Sequence, residues 1–340
     1  MKELYIHLGT HKTGTTSLQR TLILNRKALL NEDIHVIAHH DFAVENDFES
    51  DEGLKRAAYK LKLLINSNLK VKQKKIIICW EGFSGSLYKN YRNRKEMLTM
   101  IKESLPSDIY LNFILFLRRQ DEFIQSAAAQ AIHEGRFNGS KELLTTKYNP
   151  ILNYEEYIMN LEELFPKAVL NIFPYDREVL EKYPIHYLLG ELLSSNVLLN
   201  LESVPKSNIG MSKEGMEMFE RISNKTEMNR FTSQKLRFLI QKTSNKGVLN
   251  EYNILHYEDK LLILNDYSEA NERIAKKYWL KKFNINSFSN PLNIKIENSS
   301  TDLRDDVIVN ILNEMRDDNL KYKKSPILRL ANKINKLFGY

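Results

Sequence analysis

The sequence predicts an α/β fold: a P-loop-type parallel sheet flanked by helices, with a mainly helical C-terminal cap. Three observations lead there. Through the first half of the chain, apolar runs of strand length alternate with segments of helical period, the pattern of a parallel sheet covered on both faces. A glycine-bearing turn from Gly9 to Gly14 joins the first strand to the first helix. Beyond Pro184 the apolar positions recur almost only at helical spacing.

Taken in order, Leu4-Tyr5-Ile6-His7-Leu8 marks a strand near 3–8, and the run after Gly14 a helix near 15–30. Further strands are expected near 34–38, 75–80, 109–117 and 168–173, with helices near 51–68, 93–104, 121–134 and 153–164. In the cap, periodic apolar residues mark 212–224, 231–243 and 266–280. The segment 286–305, rich in asparagine, serine and charge, reads as a loop or linker. The expected organisation is one α/β domain over 1–285, its helical cap about 184–285, then a linker and C-terminal helices over 286–340.

Composition sets bounds. With 340 residues and 42% apolar content the chain can bury a sizeable core. Its one cysteine, Cys79, lies in the apolar run Ile76-Ile77-Ile78-Cys79-Trp80, which excludes a disulfide framework and predicts a buried thiol. Met1-Lys2-Glu3 leads directly into the first strand and no apolar run reaches the length of a membrane span, so a cytoplasmic protein is expected. The net charge of +7 favours anionic ligands, although Lys70-Val71-Lys72-Gln73-Lys74-Lys75 reads as a solvated connection. There is no zinc spacing and no interleaving of aromatic and basic residues of the RNA-binding kind, so neither a metal nor a nucleic acid is expected. The basic, amphipathic stretch 321–340 has two readings: peripheral contact with an anionic membrane, or packing on the domain or a partner chain. Composition leaves the oligomeric state open.

The turn is where the chemistry is expected. A glycine turn between a buried strand and a helix N-terminus aims several N–H groups and the positive end of the helix dipole at one point, which suits an anion. Gly9 and Gly14 have the spacing of the Walker pattern G-x-x-x-x-G-K-[ST], but Thr15 stands where its lysine belongs. The loop's only lysine is Lys12, and no obvious acidic strand end matches a magnesium-binding aspartate. That set fits a less charged group than a triphosphate, and sulfuryl transfer matches it.

His11-Lys12-Thr13-Gly14-Thr15-Thr16-Ser17-Leu18-Gln19 resembles the N-terminal signature of the sulfotransferases that use 3′-phosphoadenosine 5′-phosphosulfate (PAPS), most closely their bacterial, carbohydrate-directed branch. A second family signature places an arginine at a strand end and a serine eight positions later; Arg118, after Ile109 to Leu117, and Ser126 have that spacing, which favours Arg118 over Arg119. Lys206-Ser207-Asn208 through Ser212 is similar to a late family segment, and Tyr267 through Tyr278 to its closing helix, so the resemblance reaches to about 285.

The resemblance implies that His11, Lys12, Thr13, Gly14, Thr15, Thr16 and Ser17 hold the 5′-phosphosulfate, that Arg118 and Ser126 hold the 3′-phosphate, and that Lys206 assists. A bidentate guanidinium with a hydroxyl is a sensible phosphate clamp. Lys12 is expected to neutralise charge on the departing oxygen. The implied acceptor is a hydroxyl or amine on a glycan, such as a capsular or cell-surface polysaccharide or its precursor.

Ligands in open parallel sheets gather outside the carboxyl ends of the strands, so Glu81, after the third strand, is the first candidate for a general base. His133 is the second, and His39 and His40 are acceptor contacts by position. The loop 135–150, with Arg136, Lys141 and Lys147, is expected to line the acceptor groove together with the cap. Plainer readings stand beside these. The glycines can simply make a tight turn, Arg118 with Asp121 and Glu122 an exposed helix start, Glu81 a cap, and His133 a helix-terminal partner of the dipole. A P-loop kinase-like enzyme and a non-catalytic nucleotide-binding relic remain as alternatives.

Overall fold

A computed structural model of the chain describes residues 2–38, 51–85, 91, 93–106, 108–133, 152–201, 230–243 and 255–279, with single positions at 215, 216, 218, 219, 222, 283 and 288. The segments 39–50, 135–150, 202–214 and 289–340 lie outside the described residues. With them lie the expectations placed on His39, His40, Lys206, the loop 135–150, the linker 286–305 apart from Phe288, and the terminal stretch 321–340.

Five strands form one parallel sheet: β1 (Glu3–His7), β2 (Ile34–Ala38), β3 (Lys75–Cys79), β4 (Tyr110–Leu117) and β5 (Val169–Pro174). Their order is β2-β3-β1-β4-β5, so β1 is central, paired with β3 on one side and β4 on the other. The register sets His7 beside Cys79 and Ile114. Strands in such a sheet are covered on both faces and read as continuous apolar runs. Seven consecutive residues of β4, Leu111 to Leu117, are buried. Each large aliphatic side chain removed from water there contributes about 1.5–3 kcal/mol.

Among the described residues the helices include α1 (Thr15–Leu24), α2 (Arg26–Asn31), α3 (Asp51–Asn68), α4 (Arg94–Ser104), α5 (Gln120–His133), α6 (Tyr154–Leu164), α7 (Arg177–Lys182), α8 (Ile185–Leu193), α9 (Asn196–Leu199), α10 (Arg230–Thr243) and α11 (Tyr257–Tyr278). The helix expected near 15–30 is two helices. At Asn25 the backbone leaves helical geometry (φ −101°, ψ 7°), and its side-chain amide donates to the Thr21 carbonyl at 2.9 Å. Asparagine competes in this way for nearby backbone groups, which ends α1. The helix expected over 266–280 begins nine residues earlier, at Tyr257. Its early turns carry an exposed Leu262, which breaks the apolar stripe that sequence periodicity follows.

The chain divides into two compact units, one of residues 1–123, 148–205 and 261–293, the other of 124–147, 206–260 and 294–340. The first holds the sheet and its core, from Leu4, Ile6 and Leu8 through Ile77 and Phe113 to Trp279 and Phe283. Within it α11 is tied to α6 by Arg273 to Glu155 at 2.7 Å and Lys277 to Glu162 at 2.7 Å. Gln120 and Asn271 exchange two amide hydrogen bonds of 2.8 Å in the interior, so both buried amides are satisfied. In the second unit the described buried side chains include Ile124, Ala128, Met218, Phe219, Leu236 and Ile240.

Candidate functional site

The carboxyl ends of β1, β3, β4 and β5 converge on one edge of the sheet, as parallel strands require. From the central β1 the chain runs through Leu8, whose N–H donates to Ile114 at 3.0 Å, into the turn Gly9 to Gly14. Three residues of that turn occupy the left-handed region: Gly9 (φ 58°), Lys12 (φ 67°) and Gly14 (φ 73°). Glycine adopts it without a Cβ penalty, but lysine does not. The turn is pinned from inside. The Thr10 hydroxyl donates to the Phe116 carbonyl at 2.7 Å, and the Thr13 hydroxyl to the Thr10 carbonyl at 2.5 Å. Thr13 therefore spends its hydroxyl on the loop itself.

Gly14 is the N-cap of α1 and offers no side chain to the helix end, and the first turn holds no acidic residue. The first helical bond runs from Leu18 N–H to the Gly14 carbonyl at 3.0 Å, so the amides of Thr15, Thr16 and Ser17 precede it. Such N–H groups need partners from elsewhere. Thr15 is buried, 2% exposed, and its Oγ1 has no hydrogen-bond partner among the described residues. A buried hydroxyl left alone costs about 1–3 kcal/mol. An anion seated on this helix end would meet both the amides and that hydroxyl.

Arg118 follows β4 and reaches the loop: its Nη1 donates to the Lys12 carbonyl at 3.2 Å. Its Nε lies 3.4 Å from a Glu122 oxygen, and its guanidinium sits 5.6 Å from the Tyr175 ring centre. The Tyr154 hydroxyl donates to its carbonyl at 2.7 Å. Arg119 is engaged differently. Its Nε and Nη2 grip both oxygens of the buried Asp121, at 2.7 and 2.9 Å, and this raises its pKa further. Arg118 is thus joined to the loop by a backbone contact.

Other side chains pack around the turn. A Cβ on Gly14 would lie 2.8 Å from Ile185 Cδ1 and 3.1 Å from Tyr175 Cε2, so both pack directly against the glycine. On the other side Tyr91 accepts a hydrogen bond from His11 N–H at 3.0 Å and meets its Nδ1 at 2.6 Å. The Arg94 guanidinium is stacked 4.7 Å from the Tyr91 ring centre and 4.0 Å from that of Tyr157, and its Nε donates to the Ser84 carbonyl at 3.3 Å. Burial lowers the pKa of Arg94. Burial first, then the charges of Lys12 and Arg94, push His11 down to about 4, so its imidazole is neutral at pH 7.

His7 is the last residue of β1. It is wholly buried, its Nδ1 is 3.1 Å from Cys79 Sγ, and burial lowers its pKa to about 4. Cys79 is buried and forms no disulfide, as its apolar run predicted.

The structure thus brings His11, Lys12, Gly14, Thr15 and Arg118 to one place, in the first unit. Ser126 lies on α5 in the part that belongs to the second unit. Glu81 opens a short 3-10 turn, Glu81–Ser84, one residue beyond Trp80, and His133 is the last residue of α5; both side chains lie outside what is described. Sequence reasoning missed Tyr91, Arg94 and Tyr175. Tyr175 could have been found, because it directly follows β5 and strand carboxyl ends were the place to look. Tyr91 and Arg94 carry no sequence signal.

Among the described residues no group of three or more acidic, histidine or cysteine side chains could hold a metal ion, and no helix is long and apolar enough to cross a membrane. No protein-family model, no curated protein and no solved structure matches this chain.

Proposed function

We propose that this chain is a sulfotransferase that moves a sulfuryl group from PAPS to a hydroxyl or amine, with a glycan as acceptor. One observation carries it: the uncapped start of α1, where the buried Thr15 Oγ1 is unpartnered among the described residues, follows directly on a turn with left-handed residues that bears Lys12 and is joined to Arg118. The sulfotransferase resemblance of His11 through Gln19 supports it, as does the threonine where an NTP-binding loop needs lysine. On this reading the sheet is of the P-loop type and the helices beyond Pro184 form a cap.

The residues present fit the group. The amides of Thr15, Thr16 and Ser17, with the hydroxyl of Thr15, would hold the 5′-phosphate, and Arg118 the 3′-phosphate. When bound, PAPS supplies an activated sulfuryl group for in-line displacement. Lys12 stabilises the negative charge that develops at the leaving oxygen, and its loop is fixed before reaction, so little reorganisation is needed. Glu81, after β3 and beside the central strand's loop in sheet order, is the assigned base for the acceptor proton. His11, neutral at pH 7, adds no second positive charge.

The test is calorimetric titration with adenosine 3′,5′-bisphosphate against ADP with magnesium, in wild type and Arg118→Ala. Preference for the bisphosphate, lost in the variant, is expected. Preference for ADP points to the kinase alternative, and binding of neither overturns the nucleotide site.

A further inference from the structure

Both sides of the His11–Tyr91 contact are held in backbone conformations that non-glycine residues rarely adopt. Lys12, next to His11, has φ 67° and Tyr91 has φ 55°. For side chains of this size the left-handed region persists only where surrounding contacts enforce it, and such residues gather at functional sites. Tyr91 is 1% exposed, and its ring is fixed against the Arg94 guanidinium. Its hydroxyl meets two atoms of one loop residue, the backbone N–H and Nδ1 of His11.

The proton count on these atoms has a consequence. A backbone N–H only donates, so the Tyr91 oxygen accepts from it. The second contact is made either by the phenolic proton on a bare Nδ1, with the ring proton on Nε2, or by Nδ1–H on the oxygen's other lone pair. The hydrogen bonds of His11 among the described residues run through its N–H and Nδ1. Burial, and after it the charges of Lys12 and Arg94, oppose a second proton on the ring.

We infer that Tyr91 is a positioning residue for the anion loop: its hydroxyl clamps His11 by main chain and side chain, fixes the Nε2–H tautomer and so holds Lys12 in the left-handed turn that sets its approach to the bound anion. The identity of that anion rests on the sulfuryl-transfer reading; the clamp itself does not. Tyr91 comes from the connection after β3, the same connection that opens with Glu81, so the clamp also ties the anion loop to the segment assigned the proton-accepting carboxylate. His11 acts here as a hydrogen-bonding bracket and not as an acid or base.

The experiment uses the full chain with inorganic pyrophosphate as probe, measured by calorimetry in wild type, Tyr91→Phe, His11→Ala and His11→Asn. Tyr91→Phe keeps the ring against Arg94, and the Asn side-chain oxygen takes the place of Nδ1 as acceptor. Loss of one such anchor weakens binding about tenfold, so Tyr91→Phe and His11→Ala are expected to fall by that factor, with His11→Asn losing clearly less than His11→Ala. Equal affinities in wild type and Tyr91→Phe overturn the clamp. Equal loss in His11→Asn and His11→Ala also overturns it, because the Nε2 edge would then be the working group.

Nitrogen-15 NMR of the imidazoles without ligand is the second readout. A protonated Nε2 and bare Nδ1 at His11, with that preference lost in Tyr91→Phe, support the clamp. A mixed tautomer in wild type overturns it whatever the protein binds. If wild type binds neither pyrophosphate nor the bisphosphate while the tautomer signature holds, the sulfuryl-transfer reading falls and the clamp stands.

Discussion

Replacing Gly14 by alanine tests the geometry of the loop most directly. A Cβ at this position has two separate costs. At φ 73° it crowds its own backbone, at about 1–2 kcal/mol for an L-residue. It also lies 2.8 Å from Ile185 Cδ1 and 3.1 Å from Tyr175 Cε2, closer than carbon atoms pack, and crowding of this kind costs about 1–3 kcal/mol. Ile185 meets it with the flexible end of its side chain, so the lower half of that range applies, and the sum is about 2–4 kcal/mol. For a domain of this size the midpoint of thermal unfolding should fall by about 5–15 °C. Ile185→Val in the same protein removes Cδ1. Alone it costs about 0.5–1.5 kcal/mol, but combined with Gly14→Ala it relieves the clash, so a double-mutant cycle should return a coupling of about 1 kcal/mol. Urea unfolding of the four proteins supplies the values. A Gly14→Ala protein as stable as wild type would refute the assigned backbone conformation, and zero coupling would refute the contact with Ile185.

Lys12→Ala should lower sulfuryl-transfer turnover by at least two orders of magnitude, since such a group is worth about 2.7–4 kcal/mol in the transition state. Near-wild-type turnover would remove Lys12 from the chemistry. Arg119→Ala strands the carboxylate of Asp121, which is 2% exposed, and should cost about 3–5 kcal/mol of stability while Arg118 still binds the bisphosphate. A stable Arg119→Ala protein that has lost bisphosphate affinity would reverse the two roles. His7 is held near pKa 4 in the fold against 6.5 in the unfolded chain, so unfolding takes up a proton as pH falls. Its contribution is present above about pH 6.5 and is lost between there and about 4, amounting to roughly 3 kcal/mol. Urea titrations at pH 7 and 4.5 should show a smaller pH dependence in His7→Leu than in wild type, and an unchanged one would contradict the assignment.

Local physics made much of the first unit legible. The strands over 34–38, 75–79 and 110–117 are short apolar runs whose type is set by their own composition, and α3 over 51–68 is a long amphipathic stripe. The Gly9–Gly14 turn was equally readable, because glycine spacing between a strand and a helix has few structural uses. The break at Asn25 was not, since a single asparagine is compatible with a continuing helix until its side chain finds the Thr21 carbonyl. Between Arg118 and Arg119 spacing offered only a preference. The structure adds contacts that spacing does not record, from Arg118 to the loop carbonyl of Lys12 and from Arg119 to Asp121.

Periodicity, glycine spacing and charge act over a few neighbouring positions, so the class of fold, the loop and the residue types gathered in it follow from the order of residues alone. The conformations of the loop follow only from the folded chain. The left-handed backbone of Lys12, the packing of Tyr175 and Ile185 on Gly14, and the hold of Tyr91 on His11 join residues up to about 170 positions apart. Contacts at that separation depend on how the sheet orders its strands, which no local pattern records.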